Sequence, residues 1–280
     1  MKTIKYIFLS LLAFALLSAC AKHDFFDENV ITGNIGPQAY WEVGSSTVSA
    51  GSEMPFTVQY YSTAAEIDHS EVWYNVIETL DKSVKCPWVT SKDYIVSSIK
   101  KEEKRISQKI SEYPHSLAVW SDSLHAYNLK AAFPVSGTLS PFAWAKPDVF
   151  EYNKMELYFG KGYMEQFKDS LRKNVMKFAD YKNMLTGLGL LADFKQYTDS
   201  TYNVNSDSYD YHFPKDASGN TPVPAAITEL YNSIPFDRLI EDASGYNVEY
   251  KRTYSMKAIL RVYDKRGVYG LTVAKDIDIN

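Results

Sequence analysis

The sequence predicts a mostly β chain, α+β overall, in which antiparallel strands flank a helical segment in the middle. Three observations carry this. Apolar and polar residues alternate in the N-terminal third and again from Tyr246 to the end, the period of half-buried strands. After residue 161 the period changes to three or four. The composition is rich in aromatics, with 22 Tyr, 14 Phe and 5 Trp in 280 residues, and aromatic side chains favour strands.

Element by element, MPFTVQYYS reads as a strand, with Phe56, Val58 and Tyr60 alternating with Thr57, Gln59 and Tyr61. EVWYNVIETL reads as the next, with Val72, Tyr74 and Val76 on one face and Trp73, Asn75 and Ile77 on the other. Gly51 and the polar STAAEIDHS supply the turns. In residues 97–113, Ile99, Ile106, Ile110 and Tyr113 fit helical spacing, and a helix is expected there over a strand. AYNLKAAFPVSGTL is a strand. Its Pro134 cannot donate to a ladder, so the strand lies at an edge or bends there.

Met164, Phe167, Leu171, Val175 and Phe178 mark an amphipathic helix; Tyr181, Leu185, Leu188 and Leu191 mark a second. VPAAITELYNSI suggests a third, with Pro224 in its first turn. Residues 198–220 are polar and Tyr-rich, and read as a long loop. Asn203, Asn205, Asp207 and Asp210 offer oxygens to calcium. The EF-hand pattern is broken, however, by Ser208 where glycine is required and Pro214 where glutamate is. Asx turn chemistry is the expectation there. The C-terminal YNVEYKRTYSMKAILRVYDKRGVYGLTVAKDIDIN predicts a long antiparallel hairpin turning at Asp264-Lys265-Arg266-Gly267.

The first residues give an address. Lys2 and Lys5 precede an apolar run from Tyr6 to Leu17, shorter than the roughly 20 residues that span a bilayer. The run ends in Leu17-Ser18-Ala19-Cys20. This resembles the lipobox of bacterial lipoproteins. The resemblance implies that 1–19 is a signal peptide and that Cys20 is lipidated and anchors the chain to a membrane. Residues 20–36 would form the tether. Asp24, Asp27 and Glu28 beside the anchor resemble the acidic export signal of Gram-negative surface lipoproteins. An exported protein anchored to the outer membrane is expected; the acidic stretch is either a signal that turns it to the cell exterior or a plain soluble tether. With Cys20 acylated, Cys86 reads as a small buried hydrophobe.

Charge narrows the partners. Of 30 basic residues, Lys2 and Lys5 leave with the signal, so 28 face 34 acidic ones in the mature chain. An acidic balance argues against nucleic acid, whose phosphates need clustered Lys and Arg. The run Lys100-Lys101-Glu102-Glu103-Lys104-Arg105 carries both signs and reads as a solvated face.

VYDKRGVYGLTVAKDIDI resembles the last two strands of PKD-type and other immunoglobulin-like domains, and VSAGSEMPFTVQYYS resembles their first core strand. The resemblance implies an antiparallel sandwich, from which the helical middle departs. The expected partition is an Ig/PKD-like sandwich over 37–145, a helical segment with its Tyr-rich loop over 146–240, and a hairpin over 241–280 that completes the sheet or forms a second domain.

The sequence holds no G-x-S-x-G, H-E-x-x-H, C-x-x-C or Gly-rich phosphate loop, and His23, His69, His115, His125 and His212 are scattered. No catalytic residue, cofactor or metal is expected, and an enzyme only if two carboxylates such as Asp169 and Glu229 converge. A non-catalytic binding module is expected instead. Surface lipoproteins with Ig-like domains resemble glycan-gathering envelope proteins, which implies a glycan partner held on aromatic platforms. Of Trp41, Trp73, Trp88, Trp120 and Trp144, Trp88 in KCPWVTS and Trp144 in SPFAWAKP lie near prolines and are expected to be exposed and to bind; Trp73 is expected in the core. The alternative is an accessory lipoprotein that grips an envelope protein through an exposed apolar patch.

Overall fold

The computed structural model describes residues 35–89 and 94–280. The signal segment, Cys20 and the acidic tether lie outside the described residues. The fold is mostly β with helices, α+β, as the alternation predicts. The strands are β1 (Gln38–Val43), β2 (Thr47–Val48), β3 (Glu53–Tyr61), β4 (Ile67–Cys86), β5 (Tyr94–Pro114), β6 (Val119–Ser121), β7 (Ala126–Pro134), β8 (Phe142–Ala145), β9 (Asp199–Asn203), β10 (Ser208–His212), β11 (Glu241–Asp242), β12 (Gly245–Tyr246), β13 (Val248–Asp264), β14 (Tyr269–Leu271) and β15 (Lys275–Ile279). The helices are α1 (Tyr152–Phe159), α2 (Tyr163–Asn174), α3 (Phe178–Gly187), α4 (Ala225–Ser233) and α5 (Phe236–Ile240).

The chain divides into two compact units, and the boundary falls within β4, β5 and β13. The first comprises residues 35–75, 105–137 and 256–278; the second takes the remainder. One sheet runs β1-β3-β7-β6. The other runs β2-β15-β13-β4-β5, with β14 and β8 also paired to β13.

In the first unit, strict alternation builds the core. β3 buries Met54, Phe56, Val58 and Tyr60 and turns Glu53 and Pro55 outward. Trp41 of β1 lies opposite Val58 and is 1 % exposed. The facing sheet contributes Val72 and Tyr74 from β4 and Met256, Ala258, Leu260 and Val262 from β13. Each large apolar side chain buried here contributes about 1.5–3 kcal/mol. The sheets meet through Phe56 and Tyr113, whose rings lie 5.3 Å apart edge to face, and through the Tyr113 hydroxyl, which donates to the Ala132 carbonyl at 2.6 Å. Pro134 sits at the end of β7, beyond the three residues that β6 covers, where its missing N–H costs no ladder bond.

The expected turn at 264–267 forms. The Gly267 amide donates to the Asp264 carbonyl at 2.9 Å, and Gly267 adopts φ +79°. Asp264 is buried. Burial pushes its carboxyl up, but the Arg266 guanidinium and the Arg266 and Val268 amides outweigh that and hold it below the usual range. Arg266 also donates to the Ile35 carbonyl at 3.0 Å, which fixes the N-terminal stretch against this turn. Residues 36 and 37 then cross β14 at such close range that a Cβ on Gly270 would collide with the Pro37 carbonyl oxygen.

Residues 97–113 are strand, not the expected helix. The reason is cross-strand pairing. Arg105 donates to the Tyr74 hydroxyl at 2.7 Å, and Lys109 donates to Glu71 at 2.9 Å. Both faces of this edge strand are polar, so alternation leaves no mark in the sequence, while its isoleucines fall by coincidence at helical spacing.

In the second unit helices form near the three expected stripes, but the first stripe breaks after Asn174, so that Phe178 opens α3, and α3 ends at Gly187, short of Leu188 and Leu191; α1 and α5 lie outside the expected stripes. α2 buries Phe167 and Leu171, α3 buries Tyr181, Met184 and Leu185, and α4 buries Ile227 and Tyr231. A reciprocal lock ties α2 to α4: Tyr231 donates to the Lys168 carbonyl at 2.8 Å, and the Lys168 ammonium donates to the Asn232 and Ile234 carbonyls at the end of α4. This supplies a cation to carbonyls the helix leaves unsatisfied. The Tyr-rich stretch is a hairpin of β9 and β10 rather than a loop. Of the oxygens offered for calcium, Asp207 accepts from the Tyr202 hydroxyl and Asp210 from the Asn203 amide at 3.0 Å.

Gly270→Ala should lower stability by about 1–3 kcal/mol, because the added methyl must push the crossing residues away. Urea unfolding followed by circular dichroism checks this; an unchanged midpoint would show that residues 35–37 do not pack on β14 as described.

Candidate ligand-binding site

The register of β3, β7 and β6 aligns three aromatic residues. Tyr60 lies opposite Tyr127, and Tyr127 opposite Trp120. Residues directly opposite in an antiparallel sheet share a face. The row climbs from core to solvent: Tyr60 is 1 % exposed, Tyr127 half-buried and Trp120 46 % exposed. The Trp120 and Tyr127 rings lie 5.1 Å apart, edge to face. The Trp120 indole N–H donates to Asp122 at 2.8 Å, which pins the ring.

His115, in the 3-10 turn that follows β5, joins this row. Its ring stands 4.3 Å from Tyr127 at 80°, and its Nδ1 lies 3.2 Å from the Tyr60 hydroxyl. Burial, with Tyr127 beside it, holds the Tyr60 hydroxyl up at about 12, so the phenol keeps its proton. Burial, then the Lys265 charge, depresses His115 below 6.5, so the imidazole is neutral at pH 7. Tyr60 and His115 Nδ1 thus share a single hydrogen bond, in which either the phenol or the ring nitrogen is the donor according to the imidazole tautomer.

His115 and Tyr127 form one wall of a cleft of about 730 Å³ in the first unit. The loop 62–66 and the start of β4 form the other, with Ser62, Thr63, Glu66 and Asp68; Ser116 and Lys265 complete it. Lys265 closes one end through an ion pair with Glu66 and a main-chain N–H to the Glu66 carbonyl at 2.9 Å. The ammonium holds the Glu66 carboxyl below its usual range, so it accepts hydrogen bonds rather than donating a proton. Ser62 Oγ accepts from the Ala64 and Ala65 amides at 3.3 Å, which leaves its own proton to donate. The cleft thus pairs aromatic surface with hydroxyl, imidazole and carboxylate groups, a set that suits a polyhydroxylated ligand.

The two tryptophans singled out from sequence lie elsewhere. Trp144, on β8 opposite Tyr250, is 6 % exposed and packs among Phe150 and Tyr158, which corrects the expectation that it is exposed. Trp88 is half-buried. Its N–H donates to the Arg238 carbonyl at 3.1 Å, and its ring lies so close to Gly187 that a Cβ there would come within 2.5 Å. Proximity to proline placed neither ring in solvent, because both dock on the helical core. Trp73 is half-buried rather than core, and the Arg261 guanidinium covers its ring at 4.1 Å. Trp120 is the exposed one, and the polar Ser121-Asp122-Ser123 that ends its short strand is the sequence signal that marks it.

One further cluster gathers potential ligand atoms. His69, Glu71 and Glu112 bring theirs within 4.8 Å of one another. The Lys109 ammonium already sits 2.9 Å from both carboxylates, and the Trp73 N–H donates to Glu71 at 2.7 Å. Burial raises the Glu71 carboxyl, but these donors prevail and lower it. The cluster is an internal charge balance on the sheet face.

No known family model matches the chain, and no curated protein matches it in sequence.

The His115 shift predicts a pH dependence of stability. Its folded value lies below the unfolded 6.5, so the unfolded chain binds the proton more readily. Stability contributed by the neutral imidazole is complete above pH 6.5, falls as the pH drops through 6.5, and levels off below the folded value. His115→Gln should flatten the profile between pH 7 and 5. An identical slope in wild type and variant, by urea melts, would contradict the assignment.

Proposed function

We propose that this chain is an exported, membrane-anchored lipoprotein that binds glycan at the outer surface without catalysis, and that the cleft beside Tyr127 is its site. The observation that carries this reading is Tyr127, the middle ring of the row that runs from Tyr60 to Trp120, lining a cleft together with His115 and with hydroxyls and carboxylates. Sugar rings present apolar faces to aromatic rings and hydroxyls to polar groups, so both halves of the cleft have a use. The lipobox at Cys20 supports the anchor, and the sandwich of the first unit supports the Ig/PKD-like likeness. The Arg266 turn adds a geometric point: it holds Ile35, while its neighbour Lys265 lines the cleft. Residues 20–35 reach at most about 58 Å even fully extended, which bounds how far Ile35 and the turn that holds it stand from the membrane that would hold Cys20.

A specific observation supports the accessory-protein reading as a second choice. Tyr202, Tyr209 and Tyr211 share one face of the β9–β10 hairpin and are 49 %, 59 % and 62 % exposed. That is an aromatic surface fit for a protein partner.

A glycan array of residues 21–280 should identify one sugar class. Tyr127→Ala should weaken that binding about tenfold by calorimetry, with Trp144→Phe as a variant outside the cleft that leaves it unchanged. A blank array, joined by capture of an envelope protein that Tyr209→Ala abolishes, would favour the second reading.

A further inference from the structure

We propose that the cleft selects uncharged glycans and rejects those bearing carboxylate, sulfate or phosphate groups; this deepens the glycan reading and rests on it. The charges that line the cleft are two carboxylates, Glu66 and Asp68, and one ammonium, Lys265. The ammonium is engaged by the Glu66 carboxylate, and its backbone N–H by the Glu66 carbonyl. One negative charge is left over, on Asp68, whose side chain is 55 % exposed and accepts from His69 Nδ1 through Oδ2 at 2.8 Å.

His115 brings no compensating charge to the opposite wall, because burial and Lys265 keep it neutral at pH 7. An anionic sugar placed here meets like charge. To gain a cation it must displace Glu66 from Lys265. A neutral sugar meets no such cost. Its hydroxyls donate to the carboxylates, bonds of the stronger, charge-assisted kind. The Ser62 hydroxyl supplies a donor to ring and hydroxyl oxygens, and His115 and Tyr127 add an imidazole and an aromatic ring to the lining. Each of these contacts suits a hydroxyl and none provides an unshared positive charge.

The test is calorimetry on residues 21–280 with matched pairs of oligosaccharides: neutral galacto-, gluco- and manno-oligosaccharides against their C6-carboxylate counterparts. The neutral member of a binding pair should bind at least about tenfold more tightly at low salt. Raising salt to about 0.5 M should narrow the gap, since these charges are exposed. Asp68→Asn should narrow it at low salt, because the carboxylate member then meets one negative charge fewer; an unchanged gap would contradict the inference. Equal or tighter binding of the carboxylate member would overturn the inference and leave the glycan reading standing. Binding of neither member, with folding confirmed by circular dichroism, would overturn both.

Discussion

The pairing of β7 with β3 on one side and β6 on the other is the constraint on which the proposed site depends. A strand has a two-residue side-chain period, so a slip of one residue would turn Tyr127 to the opposite face and bury a polar neighbour in its place. Register is held by the core beneath. Phe56 and Val58 of β3 lie opposite Ala131 and Leu129 of β7, and Trp41 lies opposite Val58. The same alternation that hides Val58 and Leu129 places Tyr60 and Tyr127 on one line. β6 is only three residues long, yet it extends that line to Trp120 and into solvent. Packing and site are therefore one arrangement, with the buried end of the row serving the core and the exposed end available to a ligand.

A second constraint runs along β4, which carries two buried carboxylates, Glu71 and Glu78. Each has its own lysine from β5: Lys109 reaches Glu71 in the first unit, and Lys104 reaches Glu78 in the second. Tyr254 adds a hydrogen bond to Glu78 at 3.0 Å. Breaking a buried ion pair by removing one partner is costly, so these pairs constrain which residues of β5 and β4 meet. They also explain why β5 is so highly charged. An edge strand with unpaired backbone groups invites association with other chains, and lysines along it, together with the positive-φ Ser107, blunt that edge.

What was legible in the sequence follows from one-sided burial. β3, β7 and the 264–267 turn show alternation or turn chemistry because one face meets a core and the other is more exposed. α2, α3 and α4 show a three-to-four period for the same reason. β4, by contrast, buries Glu71 and Asn75 on one face as well as Val72, Tyr74 and Val76 on the other. β5 was not legible, since an edge strand with two polar faces has no apolar parity to display. The β9–β10 hairpin was hidden in the same way: its tyrosine face stays in solvent and its other face is polar, with Asn203 bonded to Asp210 and Thr201 to His212. The site was only half legible. Aromatic richness pointed to an aromatic platform, but neighbouring prolines misdirected the choice to Trp88 and Trp144. Their burial depends on helices far along the chain, which local composition does not reveal. His115 and Tyr127 meet only through tertiary structure.

The functional account places a mildly acidic, aromatic-walled cleft on a β-sandwich whose N-terminal stretch is clamped at the turn beside it. The most direct measurement is NMR chemical-shift mapping of the isotope-labelled chain, residues 21–280, titrated with its tightest-binding neutral oligosaccharide. The account predicts that perturbed amides and side chains concentrate at 62–68, 114–116 and Tyr127, with the His115 ring shifting as well. Perturbations gathered instead around the β9–β10 hairpin or the second unit's core, with the cleft silent, would contradict it.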